Sequence, residues 1–99
     1  MNKGIMDIEF ECDGLRLSGA LHLPDRDKPP VVIGSHGLEG SKQSAKQMVL
    51  ARKLPERGIA FFRFDHRGCG QSQGEFLKDT SLEKRTRDLT GALSHLLSL

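Results

Sequence analysis

"VVIGSHGLEGSKQSAKQMVLARKLPERGIAFFRFDHRGCGQSQG", residues 31–74, holds the pattern that decides the fold. It contains two short, nearly continuous apolar runs, "VVIGSH" and "IAFFRFD", the signature of strands covered on both faces. After the turn "GLEG", Ser41 can cap a helix over "SKQSAKQMVLARKL", with Ala45, Met48 and Val49 on one face. Pro55 should kink or end that helix, and Gly58 supplies a left-handed stop. Strand, helix and strand in this order predict two parallel strands joined by a right-handed crossover.

The flanks extend the pattern. Upstream, "IMDIEFEC" alternates, with Ile8 and Phe10 on one side and Asp7, Glu9 and Glu11 on the other. "DG" at residues 13 and 14 is a two-residue turn signal, and "LRLSGALHLP" alternates again through Leu15, Leu17, Leu21 and Leu23. An antiparallel hairpin is expected there. "DRDKPP" follows as a loop, because consecutive prolines exclude both helix and ladder pairing. Downstream, "TSLEKRTRDLTGALSHLLSL" begins with Thr80 and Glu83 at capping-box spacing. Its apolar stripe runs through Leu82, Thr86, Leu89, Leu93 and Leu96 or Leu97. The expected class is α/β: an N-terminal hairpin, then strand, helix, strand, helix, in one domain over residues 1–99.

Composition excludes several functions. Fifteen Lys plus Arg against thirteen Asp plus Glu leave a net charge of only +2. The signs are interspersed, and five Phe with no Trp or Tyr offer few platforms for stacking bases. A nucleic-acid partner is not expected. No apolar stretch is long enough to span a bilayer, and "MNKGIMDIEFECDG" lacks the apolar core of a signal peptide. Cys12 and Cys69 lie far apart, outside any CxxC pair, which fits a reducing cytoplasm. His22, His36, His66 and His95 stand at no zinc-ligand spacing, so no metal is expected.

Ligands in open parallel sheets bind beyond the carboxyl ends of the strands. "SHGLEGS" and "DHRGCGQSQG" occupy such positions. Gly68, Gly70 and Gly74 can be forced into a dinucleotide fingerprint, but the next helix opens only near Ser81, too late to receive a pyrophosphate. Cys69, near His66 and Arg67, reads as a small residue in a tight bend, with nothing to order a base beside it. Ser35, Ser41, Ser44 and Ser72 lie outside any G-x-S-x-G elbow, the turn that exposes a nucleophilic serine.

Taken together, the buried strand ending in His-Gly and the buried strand ending in Asp-x-Arg-Gly-x-Gly-x-Ser resemble the N-terminal part of the α/β-hydrolase superfamily. The small cytoplasmic esterases, acyl-peptidases and dienelactone-hydrolase-like proteins are the nearest branches. Neither motif is specific alone; separated by one helix, they are specific as a pair. The resemblance implies a partial α/β-hydrolase sheet and an acyl-transfer reaction without a cofactor. It implies that Leu38 contributes a backbone oxyanion-hole donor, that Gly37 lets the chain bend close to a small acyl substrate, and that His36 orients the turn. Asp65, Arg67, Gly68, Gly70 and Ser72 match a loop that is mainly structural, its glycines admitting positive φ.

The family's nucleophile lies on the elbow after the next strand, with its acid and base further on. No triad member is therefore expected in these residues, and His95 reads as an exposed or packing histidine. The expectation is the N-terminal portion of a serine hydrolase cleaving an ester, thioester or amide, inactive alone. The alternative is a stand-alone, non-catalytic module. Either way "VVIGSH" would form an apolar open edge that invites self-association.

Overall fold

The computed structural model describes residues 4–99; Met1–Lys3, part of the stretch read above as lacking a signal peptide, lie outside them. The chain forms β1 (Gly4–Cys12), β2 (Leu15–Leu23), β3 (Val31–Ser35), α1 (Ala45–Glu56), β4 (Ala60–Phe64), a short α2 (Phe76–Asp79) and α3 (Leu82–Leu97). The four strands make one sheet in the order β1-β2-β4-β3. β1 and β2 are antiparallel from the Gly4–Leu23 pair to the Cys12–Leu15 pair. Asp13 and Gly14 close that hairpin with φ of 52° and 81°, the mirror-image turn whose twist suits paired strands. β2 runs antiparallel to β4, and β3 runs parallel to β4 from Val31–Ala60 to Ser35–Phe64. The expected hairpin and strand–helix–strand unit are both present.

The helices cover opposite faces of the sheet. On one, Ile8, Phe10, Leu17, Leu21, Ala60, Phe62 and Phe64 form a core that Ala92 of α3 closes. On the other, Phe61 packs beside Gly34 and Gln47 of α1. β4 is buried along its whole length, as its sequence predicts. Burying each such phenylalanine contributes about 1.5–3 kcal/mol. α1 ends as its sequence implies: the Gly58 N–H bonds Pro55 O at 3.0 Å and the Ile59 N–H bonds Leu54 O at 3.1 Å, with Gly58 at φ 79°.

Several details correct the sequence reading. α1 starts after Ser44, not Ser41, whose Oγ instead accepts from Gln43 N–H within the preceding turn. α3 is capped by Ser81, whose side chain accepts from Lys84 N–H at 3.1 Å; Thr80 ends α2, an element the sequence did not reveal. Most of the apolar residues expected to face the sheet from the two helices point outward. α1 buries Gln47 and Ala51 while Ala45, Met48 and Val49 are exposed. α3 buries Asp88 and Ala92 and packs Leu96 of the expected stripe against the core, while Leu82, Leu89, Leu93 and Leu97 are exposed. β3 is an edge strand, as its open-edge reading expected, but it is not covered on both faces: Val31 is 46% and Val32 42% exposed. Among the described residues, no helix is long and apolar enough to cross a membrane.

Candidate active-site rim

β3 and β4 are parallel, so the loops that follow them emerge side by side at one end of the sheet. The first is built around a carbonyl. Gly37 O accepts from His36 Nδ1 at 2.7 Å and from Gly40 N–H at 3.0 Å. The peptide that follows is trans, so the Leu38 N–H points away from that carbonyl. Leu38 is 68% exposed, and its N–H meets no protein acceptor among the described residues. His36 itself is buried. Its Nε2 accepts the His66 N–H at 3.0 Å, which leaves the proton on Nδ1 for Gly37. Burial holds its pKa below the ordinary histidine value. Arg85 of α3 donates to His36 O from the other side.

The second loop is built around a carboxylate. Asp65 is fully buried, and its Oδ1 accepts from Lys42 N–H at 2.7 Å. Oδ2 accepts from Lys42 Nζ at 2.7 Å and from Gln71 N–H at 3.0 Å. The Ser72 hydroxyl donates to Asp65 O at 2.6 Å while accepting from Ser18 N–H of β2 at 2.9 Å. Gly70 sits at φ 51° directly against the Asp65 carboxylate, where any Cβ would overlap it. Gly68, at φ 76°, passes the Phe76 backbone equally closely. Both positions require glycine for conformation and for room.

Beneath the loops lies a buried ion pair. Asp88 accepts from Arg67 N–H at 2.9 Å and from Arg67 Nε at 2.9 Å, and Arg67 Nη2 also reaches Asp13 at 2.8 Å. Burial alone would raise the Asp88 pKa, but hydrogen bonds from His66 and Arg67 outweigh it and hold the carboxyl below its usual range. The Arg67 guanidinium, penalised by burial, is held above its ordinary value by Asp88 and Asp13. His66 packs edge-on against His36, ring centres 5.0 Å apart, and lies between Ser35 and Asp88.

The other candidates are elsewhere or inert. Cys69 is buried, which pushes its thiol pKa up, away from nucleophilic use. His95 stacks on Phe10 with ring centres 5.8 Å apart. His22 accepts from Arg63 Nε at 2.9 Å on the α1 face. No group of three His, Cys, Asp or Glu among the described residues is arranged to hold a metal. A cavity of about 460 Å³, lined by Ile5, His22, Leu23, Met48 and Ala51, lies toward the amino ends of β3 and β4, away from the rim. Sequence reasoning missed Lys42, Asp88 and Arg85. A lysine or aspartate in a helical pattern reads as a solvated face until tertiary structure buries it.

Residues 27–98 match the family described as serine aminopeptidase, S33. The chain belongs to that family. This S33 chain is 30% identical over 95 residues to the thiohydrolase aneE of Aspergillus aculeatus, covering 95% of its own length and 29% of that protein. It superposes on Est1E of Butyrivibrio proteoclasticus with ferulic acid bound, with a TM-score of 0.87 and 29% identity, covering 93% of this chain and 37% of that one. The α/β hydrolase GrgF from a Penicillium species gives a TM-score of 0.82 at 32% identity, covering 94% and 32%. The S33 chain thus spans about a third of the length of the relatives it matches. Its sheet is a partial α/β-hydrolase sheet, as the two loop motifs implied.

Proposed function

We propose that these residues are the N-terminal portion of a serine hydrolase that cleaves an ester, thioester or amide, and that they supply one half of its oxyanion hole. The observation carrying this reading is the Leu38 N–H. It is unpaired, exposed, at the carboxyl rim, and aimed by two hydrogen bonds on the carbonyl of its own peptide unit. A donor fixed before the reaction pays no reorganisation as charge develops on a tetrahedral intermediate, and one such donor contributes about 3 kcal/mol. Accepting two bonds at Gly37 O also polarises the amide and strengthens its N–H. His36 positions this peptide and takes no proton, since its Nε2 is already occupied by the His66 N–H. The Asp65 and Asp88 networks brace the adjoining loop. The matched thiohydrolase and the Est1E structure with ferulic acid bound support a small acyl substrate; hydrolysis without a cofactor and a cytoplasmic location complete the proposal.

On this reading the family's nucleophile, acid and base lie on further polypeptide, and the 99 residues alone do not turn over substrate. The transcript read beyond the Leu99 codon should encode a strand and a Gly-x-Ser-x-Gly elbow; a stop codon there contradicts the proposal. In the encoded hydrolase, Leu38→Pro removes the N–H and should lower kcat by about 100-fold or more with KM little changed. An unchanged kcat would exclude the Leu38 donor.

A second reading rests on the exposed valines of β3 and the outward leucines of α3. It makes the chain a non-catalytic module that pairs with another copy through its open edge.

A further inference from the structure

Outside the proposed oxyanion loop, one group of side chains meets the geometric requirements of an activated nucleophile. The Ser35 Oγ lies 2.7 Å from His66 Nε2, and His66 Nδ1 lies 3.4 Å from Asp88 Oδ2. The base and its orienting acid are buried, at 1% and 0% side-chain exposure, while Ser35 is exposed. A hydroxyl within hydrogen-bond reach of an imidazole, itself oriented by a third group, is the defining arrangement of nucleophilic catalysis. The outer contact is longer than an ordinary hydrogen bond, as such contacts commonly are before substrate binds. Ser35 is the last residue of β3, at the carboxyl end of a parallel strand where ligands collect. The three residues come from β3, from the loop after β4 and from α3, separated by 31 and 22 positions, so no sequence motif announces them.

We infer that Ser35 is a nucleophile in its own right, with His66 as its general base and Asp88 as the residue that orients His66, reactive toward activated acyl and phosphonyl groups. The inference goes beyond the hydrolase reading and does not depend on it, because it needs no residue outside these 99. With Nδ1–H facing Asp88, Nε2 is free to accept the Ser35 proton. Against an alkyl fluorophosphonate, Oγ attacks phosphorus as its proton passes to Nε2. The P–O bond forms, the P–F bond breaks, and fluoride leaves. His66, now imidazolium beside the Asp88 carboxylate, returns the proton to water. Arg67 shares Asp88 and draws off part of its charge, so the expected behaviour is stoichiometric capture of the probe without turnover.

The test is incubation of the 99-residue chain with a biotinylated fluorophosphonate, followed by peptide mass spectrometry. Ser35 should carry the label, Ser35→Ala should remove it, and His66→Phe should slow it by about 100-fold or more. Absence of label on Ser35, label spread over other serines, or an unchanged rate in a folded His66→Phe chain would each overturn the inference. Because loss of His66 can also disturb the fold, a second measurement keeps His66 in place. Ser35→Cys puts a thiol beside the imidazole, and at pH 7 iodoacetamide should alkylate it at least about tenfold faster than Cys12 or Cys69. Equal or slower alkylation counts against the pair. A stop codon after Leu99 would end the hydrolase reading and leave this result untouched; an unlabelled Ser35 would do the reverse.

Discussion

His36 and His22 show how burial sets charge at single positions. Both have pKa values below the ordinary histidine value, His36 through burial and His22 through burial and the nearby Arg63 guanidinium. The folded chain therefore disfavours their protonated forms, whereas an unfolded chain protonates them near pH 6.5. Below that pH the unfolded state binds more protons, so stability that is complete above about pH 6.5 declines as the pH falls. The urea midpoint should drop between pH 7.5 and 5.5, and His22→Gln should shallow the drop. A midpoint independent of pH, or one rising toward acid, contradicts this account. Asp88 behaves in the opposite sense: its carboxyl stays ionised in the fold, so its contribution is present at neutral pH and lost only at acid pH well below that range.

Elements were legible where local chemistry decides them. The Asp13-Gly14 turn, the continuous apolar run of β4 and the Gly58 stop of α1 each carry their cause within a few residues. Helix faces were not. Periodicity reports that Leu82, Leu89 and Leu93 share a side, but it is silent on whether that side meets this sheet, and here Asp88 and Ala92 do so instead. Asp88 is buried because Arg67 meets it, and that partner lies 21 positions away. The site divides in the same manner: the His-Gly and Asp-x-Arg-Gly loops were readable as motifs, while the Ser35–His66 contact was not. The start of α3 was misplaced by one residue because Thr80 and Ser81 are equally eligible caps by chemistry. The two can be separated by experiment. Ser81→Ala should cost about 1 kcal/mol by removing the bond to Lys84 N–H. Thr80→Val should cost little, because Thr80 Oγ1 is buried without a partner. Equal losses would return the cap to Thr80.

At the scale of the whole molecule, the apolar surface is misdirected for an isolated chain. Val31 and Val32 of β3 are exposed, as are Val49 and Leu50 of α1 and Leu89 and Leu93 of α3. Exposed apolar residues of this kind favour the second reading of function, in which the chain pairs with another copy. Light scattering should show the chain's mass rising toward twice its monomer value with concentration, and Val31→Lys should shift it back. A monomer at every concentration would count against the second reading of function.

The two ends of the sheet differ in a way that bounds such association. The outer strand of the hairpin presents Asp7, Glu9 and Glu11 to solvent, with Arg16 of β2 3.6 Å from Glu9, and charged side chains on an edge strand discourage pairing with another copy. The opposite end presents bare valines. A sheet with an apolar margin at β3 and a charged one at β1 offers one side for the edge pairing of that second reading, not two. On the second reading of function, edge pairing would stop at two chains, the acidic side chains of β1 closing the route from a stray contact to an endless fibre.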